Sequence, residues 1–203
     1  MLNRLRGAMT RIFTPVADTL LKRGVSPDAV TITGTVVVVV TALWAFPQGW
    51  FVVGTLVIAL FALTDSLDGV MARRAGRSGP WGAFLDSTLD RFADAAIFAG
   101  VALYYFGEGD DHLTAVLALT CLILGSIVPY ARARAEGLGM TASGGIAERA
   151  DRLFAVLIAA FLVGVGVPDV VLTVVLGLLA VASAITVVQR MAMVHRQAAA
   201  AAE

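Results

Sequence analysis

Four aspartates stand in two pairs whose spacing places each pair on one face of a helix. Asp65 and Asp68 are three residues apart, and Asp86 and Asp90 are four residues apart, so the members of a pair project from the same side. Carboxylates grouped without histidine or cysteine offer the oxygen ligands that hard divalent cations such as Mg²⁺ or Mn²⁺ prefer. Four carboxylates exceed what one Mg²⁺ usually takes from a protein, which favours two ions. Two ions stabilise the attacking and the leaving oxygen of a phosphoryl transfer.

Small and basic residues lie next to these acids at helical spacing. Gly69 follows the first pair directly, and Gly82 lies four residues before the second pair. Both remove side-chain bulk where a nucleotide or pyrophosphate approaches, and Ala72 does so to a smaller extent. Arg73 lies two helical turns beyond the first aspartate, and its planar guanidinium can bind a phosphate. These neighbours indicate a phosphate-containing substrate.

Two other interpretations of the carboxylates stay open at this point. In the first, the acids are helix caps and salt-bridge partners of arginines such as Arg73 and Arg91. We assign Asp94 to this class, since it lies one turn beyond Asp90 on the same stripe. In the second, a cation transporter keeps four carboxylates between its helices. Transporters tend to place such groups beside broken helices of repeated halves, and no such repeat is visible in this sequence.

The composition of the chain is that of a membrane protein. Of its 203 residues, 59% are hydrophobic and 15% are charged, and the mean hydropathy is +0.86. These values exclude a soluble globular fold. Fifteen basic and fifteen acidic residues cancel, so the net charge predicts neither nucleic-acid binding nor an acidic tail. A single cysteine, Cys121, excludes a disulfide framework, and we expect one domain over residues 1–203.

Six apolar stretches follow one another along the chain. Each comes near the roughly 20 residues that a helix needs to cross a bilayer, and turn-forming or charged segments such as Pro47-Gln48-Gly49 separate them. The sequence therefore predicts an all-α fold, a six-helix transmembrane bundle within residues 30–190. The predicted spans are about 30–47, 50–72, 82–106, 113–134, 150–167 and 170–190.

The segment before these stretches has the pattern of an amphipathic helix. In residues 2–23, apolar side chains recur every three or four positions, and basic residues occupy other faces. This predicts an interfacial juxtamembrane helix whose basic face suits anionic lipid head groups. A helix packed on the core of a soluble protein is the alternative. Gly24 then offers a helix stop, and Ser26 offers a cap for a new helix that starts near Pro27.

With six spans, all fifteen basic residues fall on one side of the membrane. Lysine and arginine near helix ends mark the cytoplasmic side. The chain is therefore predicted to be a multi-pass protein of the cell (inner) membrane, with both termini and the active site on the cytoplasmic side. The opposite side carries the acidic residues Glu108, Asp110, Asp111 and Asp169.

The residues around the aspartates match a known signature at all eight of its fixed positions. This signature, Asp-x2-Asp-Gly-x2-Ala-Arg-x8-Gly-x3-Asp-x3-Asp, begins at Asp65 and ends at Asp90. It resembles that of the CDP-alcohol phosphotransferases, integral membrane enzymes that move a phosphatidyl or similar group from a CDP-linked lipid to an alcohol and release CMP. The six spans and the preceding amphipathic segment extend the likeness over nearly the whole chain.

The resemblance implies roles for individual residues. Asp90 is expected to be the general base that takes the proton of the acceptor hydroxyl, and an aspartate beside divalent cations is ionised at pH 7, as this role requires. The ligands of two cations, Mg²⁺ or Mn²⁺, are expected to be Asp65, Asp68, Asp86 and Asp90. The CDP-lipid is expected to contact Asp28, Ala29, Val30, Thr31, Gly69, Arg73 and Ser78.

A second group of charged residues consists of arginines on the last three predicted spans and at their cytoplasmic ends. Arg149 and Arg152 are about one turn apart and can face the same cavity, which suits an acceptor that itself carries a phosphate. The alternative is that they anchor the cytoplasmic side, with Glu148 paired to Arg152. The resemblance implies that the acceptor phosphate is bound by Arg132, Arg149, Arg152 and Arg190.

The identity of the acceptor follows from the resemblance. The segment from Tyr130 to Glu136 and the later pairs Glu148-Arg149 and Gln189-Arg190 are similar to those of the actinobacterial phosphatidylinositol phosphate synthases. This implies inositol phosphate as the acceptor and CDP-diacylglycerol as the donor, with phosphatidylinositol phosphate and CMP as products. A phosphatidylglycerophosphate synthase that uses glycerol 3-phosphate is the alternative. Members of this type pair as homodimers through their membrane helices, and no nucleic acid is expected as a partner.

Overall fold

The computed structural model describes residues 13–62, 64–76, 79–146 and 148–201, without the side chains of residues 64–66. All regular secondary structure within these ranges is helical, which confirms the predicted all-α class. The helices are α1 (residues 13–22), α2 (Pro27–Ala45), α3 (Phe51–Ala62), α4 (Thr64–Arg74), α5 (Pro80–Phe106), α6 (His112–Glu136), α7 (Arg149–Gly164) and α8 (Val170–Ala200), with a short 3₁₀ helix at Phe46–Gln48.

Helix α2 begins where the sequence predicts it. The Ser26 hydroxyl oxygen accepts a hydrogen bond from the Ala29 amide at 3.2 Å, so it satisfies one of the amides that a helix start leaves unpaired. Pro27 occupies the first turn, where its missing N–H costs nothing. At the other end, Gly49 has a φ of 71°, which lies in the left-handed region that favours glycine.

Within the part of the chain that the structure describes, four helical segments are long and apolar enough to cross a membrane: Pro27–Gln48, Phe51–Arg74, His112–Glu136 and Val170–Ala200. The other two predicted spans correspond to α5 and α7. Helix α7 has 16 residues, fewer than the roughly 20 that a perpendicular span needs. Helix α5 has 27 residues, but its first half carries the charged side chains Asp86, Asp90, Arg91 and Asp94.

The predicted span 50–72 corresponds to α3 and α4, which lie within one candidate span, Phe51–Arg74. One predicted boundary differs from the structure. Helix α8 continues ten residues beyond the predicted end at 190. The Gln197 side-chain oxygen accepts a hydrogen bond from the Thr141 amide at 2.9 Å, and its nitrogen donates to the Thr141 carbonyl at 2.6 Å. These bonds fasten the last turns of α8 to the loop after α6.

Helix α5 lies at the centre of the bundle and packs against α2 on one side and α6 on another. The close approach of α2 and α5 depends on Gly100, because a β-carbon there would lie 2.2 Å from the Ala42 carbonyl oxygen. Phe46, Phe98 and Leu176 are among the buried residues of the main apolar core. This packing fixes the charged first half of α5 next to the first turns of α2.

Helix α1 packs on α4. Ala17 is fully buried in an apolar cluster that includes Met71, and Arg74 at the end of α4 donates to both carboxylate oxygens of Asp18, at 2.5 and 2.9 Å. Ala17 and its apolar neighbours on α1 therefore face protein, whereas Val16 is 46% exposed. The interfacial position of α1 stays a prediction. Residues 2–12 of that predicted segment lie outside the described ranges.

Candidate active site

Two adjoining cavities lie where α2, α4, α5 and α7 meet. The outer cavity has a volume of about 290 Å³ and lies at the first turns of α2 and α5. The inner cavity, of about 110 Å³, lies farther along the same helices and reaches Asp90 and Arg149. Thr31 and Asp68 line both cavities, so the two spaces meet there. Six of the eight signature positions line the outer cavity: Asp68, Gly69, Ala72, Arg73, Gly82 and Asp86.

The outer cavity has the properties of a phosphate site. Pro27 at the start of α2 and Gly79 at the start of α5 both line it, and the amides of two helix starts contribute partial positive charge. Arg73 adds a full positive charge, whereas three aspartates of the same lining carry negative charge, so an anionic group would bind here together with cations. Gly69 and Gly82 form part of the wall, so a substrate can approach the backbone closely. A bulky anionic group fits this space.

Asp68 is held in place at the junction of the two cavities. Its side chain is buried, and Thr31 donates its hydroxyl hydrogen to the Asp68 carboxylate at 2.5 Å. The Thr31 hydroxyl also lies 3.2 Å from the Pro27 carbonyl. The first turns of α2 thus orient a carboxylate of α4, and Thr31 contributes through this contact as well as by lining the cavities.

Asp90 lies in the inner cavity and pairs with an arginine from another helix. Arg149 Nη2 lies 2.8 Å from one carboxylate oxygen of Asp90, and Arg91 Nη2 lies 3.6 Å from the other. A charge-assisted contact of 2.8 Å, as between Arg149 and Asp90, is among the stronger hydrogen bonds in proteins. The structure therefore brings the predicted base and one predicted acceptor-binding arginine into direct contact.

The donor set at the cavities fits a divalent cation. Asp86 lines the outer cavity, Asp90 lines the inner one, and Asp68 lines both, so all three offer carboxylate oxygens to connected space. Oxygen donors of this kind suit Mg²⁺ or Mn²⁺. Asp65 lies one turn before Asp68 on α4, but its side chain is outside the described part of the structure. Among the side chains that are described, three acids or histidines do not gather closely enough to form a complete metal site.

The remaining residues expected at the CDP-lipid divide into two groups. Asp28 lines the outer cavity and accepts a hydrogen bond from the Trp81 indole at 3.0 Å, which ties the start of α2 to the start of α5. Ala29 and Val30 line neither of the two cavities, and Val30 packs instead on the α1–α4 cluster. Ser78 lies outside the described residues.

Two of the predicted acceptor-binding arginines are buried and engaged with backbone carbonyls. Arg152 is 2% exposed, and its Nη2 lies 3.4 Å from the Gly125 carbonyl oxygen. Arg190 is 7% exposed and donates to the carbonyls of Gly144, at 3.2 Å, and Val128. Positive charge is therefore fixed inside the protein where α6, α7 and α8 meet.

Arg132 differs from the other arginines of the predicted set. Its side chain is 55% exposed and pairs with Glu136 one turn along α6, at 2.8 Å. Arg149 lines the inner of the two cavities described above. The carboxylate found near Arg152 Nη2 is that of Asp94, at 4.0 Å, rather than that of Glu148 as in the alternative given above.

Sequence reasoning missed the contacts that join α5 to α7. Asp94, interpreted above as one more cap or ion-pair partner, lies 3.0 Å from Arg149 Nε and 3.8 Å from Arg91 Nη2. The first pair is 55 residues apart in the chain. Helical spacing relates residues within one helix, so the spacing of residues in the sequence does not predict a contact between two helices.

The fold and the cavities together define a membrane-associated enzyme that transfers phosphate-linked groups. Residues 24–186 match the sequence model of the CDP-alcohol phosphatidyltransferases. The chain is 48% identical to a phosphatidylinositol phosphate synthase of Streptomyces avermitilis, with 98% of this chain and 84% of the relative covered. It is also 48% identical to a protein of the same name from Cutibacterium acnes, with 97% and 98% covered. The chain therefore belongs to the CDP-alcohol phosphatidyltransferase family.

Crystal structures of a phosphatidylinositol phosphate synthase from Mycobacterium tuberculosis share the fold. The form with CDP-DAG bound has a TM-score of 0.87 and 41% sequence identity, with 91% of this chain and 94% of that chain covered. The form in complex with manganese and citrate has a TM-score of 0.86 and 41% identity, with 90% and 88% covered. The likeness in structure thus extends over the same range as the likeness in sequence.

Proposed function

We propose that this chain transfers a phosphatidyl group from CDP-diacylglycerol to a hydroxyl of inositol phosphate, with phosphatidylinositol phosphate and CMP as products. The observation that carries the proposal is the junction of the two cavities, where the signature residues of the outer cavity adjoin Asp90 and Arg149 in the inner one. The relatives named phosphatidylinositol phosphate synthase and the related structure with CDP-DAG bound support the same reaction.

The outer cavity is the proposed site of the cytidine diphosphate group. Arg73 lines it and can present two parallel N–H donors to phosphate oxygens. The starts of α2 and α5 add partial positive charge on the same side. Gly69 and Gly82 leave the space that a nucleotide needs against the wall.

Four aspartates are the proposed ligands of two divalent cations: Asp65, Asp68, Asp86 and Asp90. The oxygen-only donor set and the manganese in a related structure support this assignment. Such cations, when bound, offset the negative charge that develops on the phosphate oxygens during transfer. The hydrogen bond from Thr31 to Asp68 is the kind of outer contact that orients a metal ligand.

Asp90 is the proposed general base. Its carboxylate lines the inner cavity, and an ionised carboxylate can take up the proton of a hydroxyl that attacks phosphorus. As the acceptor oxygen bonds to the lipid-side phosphorus, its proton passes to Asp90. The bond between that phosphorus and the bridging oxygen of the diphosphate breaks, and the electron pair leaves with CMP.

Arginines of α6, α7 and α8 are the proposed partners of the acceptor phosphate. Arg149 is the best placed, because it lines the inner cavity beside Asp90. Arg152 and Arg190 are buried where α6, α7 and α8 meet, and they add positive charge to this part of the protein. Arg132 must leave its exposed pair with Glu136 to contribute. Several arginines in one region suit an acceptor that carries its own phosphate.

The decisive experiment offers two acceptors side by side. Purified protein is incubated with CDP-diacylglycerol, Mg²⁺ and either radiolabelled inositol phosphate or radiolabelled glycerol 3-phosphate. We expect label in the lipid fraction from inositol phosphate, release of CMP, and loss of both signals when the cations are chelated. Transfer to glycerol 3-phosphate alone contradicts the proposed acceptor but retains the reaction class. Absence of CMP release with either acceptor contradicts the reaction itself.

We further propose that six segments span the membrane: α2, α3 with α4, α5, α6, α7 and α8. The cavities and both termini are placed on the cytoplasmic side, because all fifteen basic residues then lie on that side. At about 1.5 Å per residue, α7 reaches about 24 Å, which is short of a bilayer core of about 30 Å. We also expect two copies to pair through their membrane helices, which chemical cross-linking in membranes tests.

Cysteine labelling tests the orientation. Cys121 is buried, and Cys121→Ala provides a cysteine-free background. In that background, Glu108→Cys is expected to react with a membrane-impermeant maleimide added to intact cells, whereas Ala198→Cys is expected to react only after the membrane is opened. The reverse pattern contradicts the proposed orientation.

A further inference from the structure

Asp94 is a buried carboxylate that lies outside the eight-residue signature. It stands one helical turn beyond Asp90 on α5 and is 6% exposed. Three arginines surround it, one from its own helix and two from α7. The distances from its carboxylate oxygens are 3.0 Å to Arg149 Nε, 3.8 Å to Arg91 Nη2 and 4.0 Å to Arg152 Nη2.

Arg149 is held by two carboxylates at once. Its Nε faces Asp94 at 3.0 Å, and its Nη2 faces Asp90 at 2.8 Å. A guanidinium is planar, so two contacts through different nitrogens fix the orientation of its plane. Asp94 therefore determines how Arg149 is presented to the inner cavity that it lines.

Arg152 needs a negative charge nearby for a different reason. At 2% exposure it has lost nearly all contact with solvent, and a buried charge without a counter-charge is strongly unfavourable. Asp94 places a carboxylate oxygen 4.0 Å from Arg152 Nη2. The same aspartate thus orients one arginine and neutralises another, and both belong to the set proposed to bind the acceptor phosphate.

We propose that Asp94 is a positioning residue for the acceptor: it presents Arg149 and stabilises Arg152 so that both can bind the phosphate of the acceptor. This inference rests on the proposed function, since it assumes an acceptor that carries a phosphate. It assigns Asp94 no contact with substrate or cation. It predicts that loss of the carboxylate weakens acceptor binding and leaves the outer cavity intact.

The test compares three variants of the full-length protein. Asp94→Asn removes the charge at nearly constant volume, and Asp94→Glu keeps the charge on a longer side chain. The matched control is Asp151→Asn, the same chemical change at an exposed residue of α7 that lies between Arg149 and Arg152 in the sequence. Each variant is assayed for kcat and for the KM of inositol phosphate and of CDP-diacylglycerol. The rise in unfolding temperature caused by inorganic phosphate is measured without CDP-lipid.

We expect Asp94→Asn to raise the KM of inositol phosphate about tenfold and to change the KM of CDP-diacylglycerol less than about twofold, the size expected for a lost charge-assisted contact. Asp94→Glu is expected to recover part of the acceptor KM. Asp151→Asn is expected to match the unmodified protein. Inorganic phosphate is expected to stabilise the unmodified protein more than Asp94→Asn.

Several results overturn the inference. An unchanged or lower acceptor KM in Asp94→Asn shows that the carboxylate does not present the arginines. An equal rise in both KM values without recovery in Asp94→Glu shows a general structural role. If Asp94→Asn does not fold, Asp94→Glu decides, because a displaced carboxylate must still alter the acceptor KM alone. If the unmodified protein uses glycerol 3-phosphate instead, the proposed acceptor fails, and the phosphate-dependent unfolding temperature still tests Asp94.

Discussion

The outer and inner cavities achieve recognition by different physical means. The wall of the outer cavity consists largely of helix starts and small residues, and its arginine, Arg73, is exposed. Around the inner cavity the charges are buried or half-buried and fixed by partners on other helices, as Arg149 is by Asp90 and Asp94. The first arrangement provides space for a large nucleotide, with partial positive charge at the two helix starts. The second provides a small, rigid arrangement of charges.

This difference has an energetic consequence. Where glycines line the outer cavity, replacement of a neighbouring side chain should change the stability of the protein little, because no fixed charge there needs a partner. A buried ion pair tolerates no such loss, because removal of one partner leaves the other charge without compensation. Substitutions at the outer cavity should therefore alter the binding of one substrate, whereas substitutions of the inner charges should alter chemistry and acceptor binding.

The largest effect is expected for Asp90→Asn. The amide cannot take up the acceptor proton and is a weaker cation ligand, so we expect kcat to fall at least about a hundredfold. Binding of CDP-diacylglycerol to the outer cavity should be largely preserved. Steady-state release of CMP and equilibrium binding of the CDP-lipid measure the two properties separately, with Asp151→Asn as the control. Retention of turnover in Asp90→Asn would refute the role of this carboxylate.

A second substitution separates space from charge. At Gly82 an added β-carbon meets no atom within 4 Å, so Gly82→Ala should fold and gain up to about 1 kcal/mol of helix stability. The methyl group enters the outer cavity, and we expect the KM of CDP-diacylglycerol to rise several-fold, up to about tenfold, with no change for inositol phosphate.

The matched control for Gly82→Ala is Gly177→Ala on α8, where the new β-carbon makes an ordinary contact with Leu117 at 3.9 Å. Both variants should be more stable, as thermal unfolding will measure, but only Gly82→Ala should lose CDP-lipid affinity. Equal kinetics in the two variants would mean that the wall of the outer cavity does not touch the nucleotide.

Asp111, on the side of the membrane that is predicted to face away from the cytoplasm, is a carboxylate with a structural role. Asp111 caps α6, and hydrogen bonds from the Thr114 hydroxyl and the Thr114 amide lower the pKa of Asp111 below its ordinary value of 3.8. We expect Asp111→Ala to reduce the free energy of unfolding by about 1 kcal/mol at neutral pH. Neither KM should change, in contrast to the carboxylates at the cavities.

The pH dependence of this cap has a definite sign. Because the folded-state pKa of Asp111 is depressed, its stabilisation is complete above the unfolded-state value of 3.8 and is lost as the pH falls through the lower folded-state pKa. The free energies of unfolding of the unmodified protein and of Asp111→Ala should be measured at several acidic pH values. The difference between the two free energies should shrink as the pH falls. A difference that stays constant into strong acid would contradict the assignment of the cap.

The smallest effect is expected at the pair that joins α1 to α4. The side chains of Arg74 and Asp18 are 46% and 35% exposed, and exposed pairs contribute up to about 1 kcal/mol. Asp18→Asn should therefore change the unfolding free energy less than Asp94→Asn does. A double-mutant cycle with Arg74→Gln measures the coupling. If the coupling energy of Arg74 and Asp18 were as large as that of the buried ion pairs around Asp94, exposure would not distinguish weak ion pairs from strong ones.

The outer cavity could be predicted from the sequence in most of its parts. Asp68, Gly69 and Arg73 lie on α4, Gly82 and Asp86 lie on α5, and helical spacing puts the members of each group near one face. That the two groups adjoin follows from the resemblance to a known family rather than from spacing. The all-α class and the start of α2 also follow from local signals, since hydropathy and capping act over a few residues. The relation between Arg149 and Asp90 could not be predicted in this way, because it depends on how α5 and α7 are rotated against each other.

The end of α8 and the surroundings of Asp94 could not be predicted for a similar reason. The end of α8 depends on the contact between Gln197 and Thr141, which joins distant parts of the chain. Hydropathy falls after residue 190, so the sequence alone suggests an end there. Asp94 resembles any other interfacial acid in sequence, and only the fold surrounds it with three arginines.

The packing of α1 on α4 has a consequence for handling the protein. The described part of α1 buries Ala17 against α4, so α4 supports α1 through apolar contacts between protein atoms. Since the attachment is made by protein atoms, the helix that carries Asp68 and Arg73 should keep its outer support after extraction into detergent. An affinity tag at the amino end is close in the chain to α1 and is expected to disturb its packing on α4, whereas a tag after residue 203 is far from α1 in the chain.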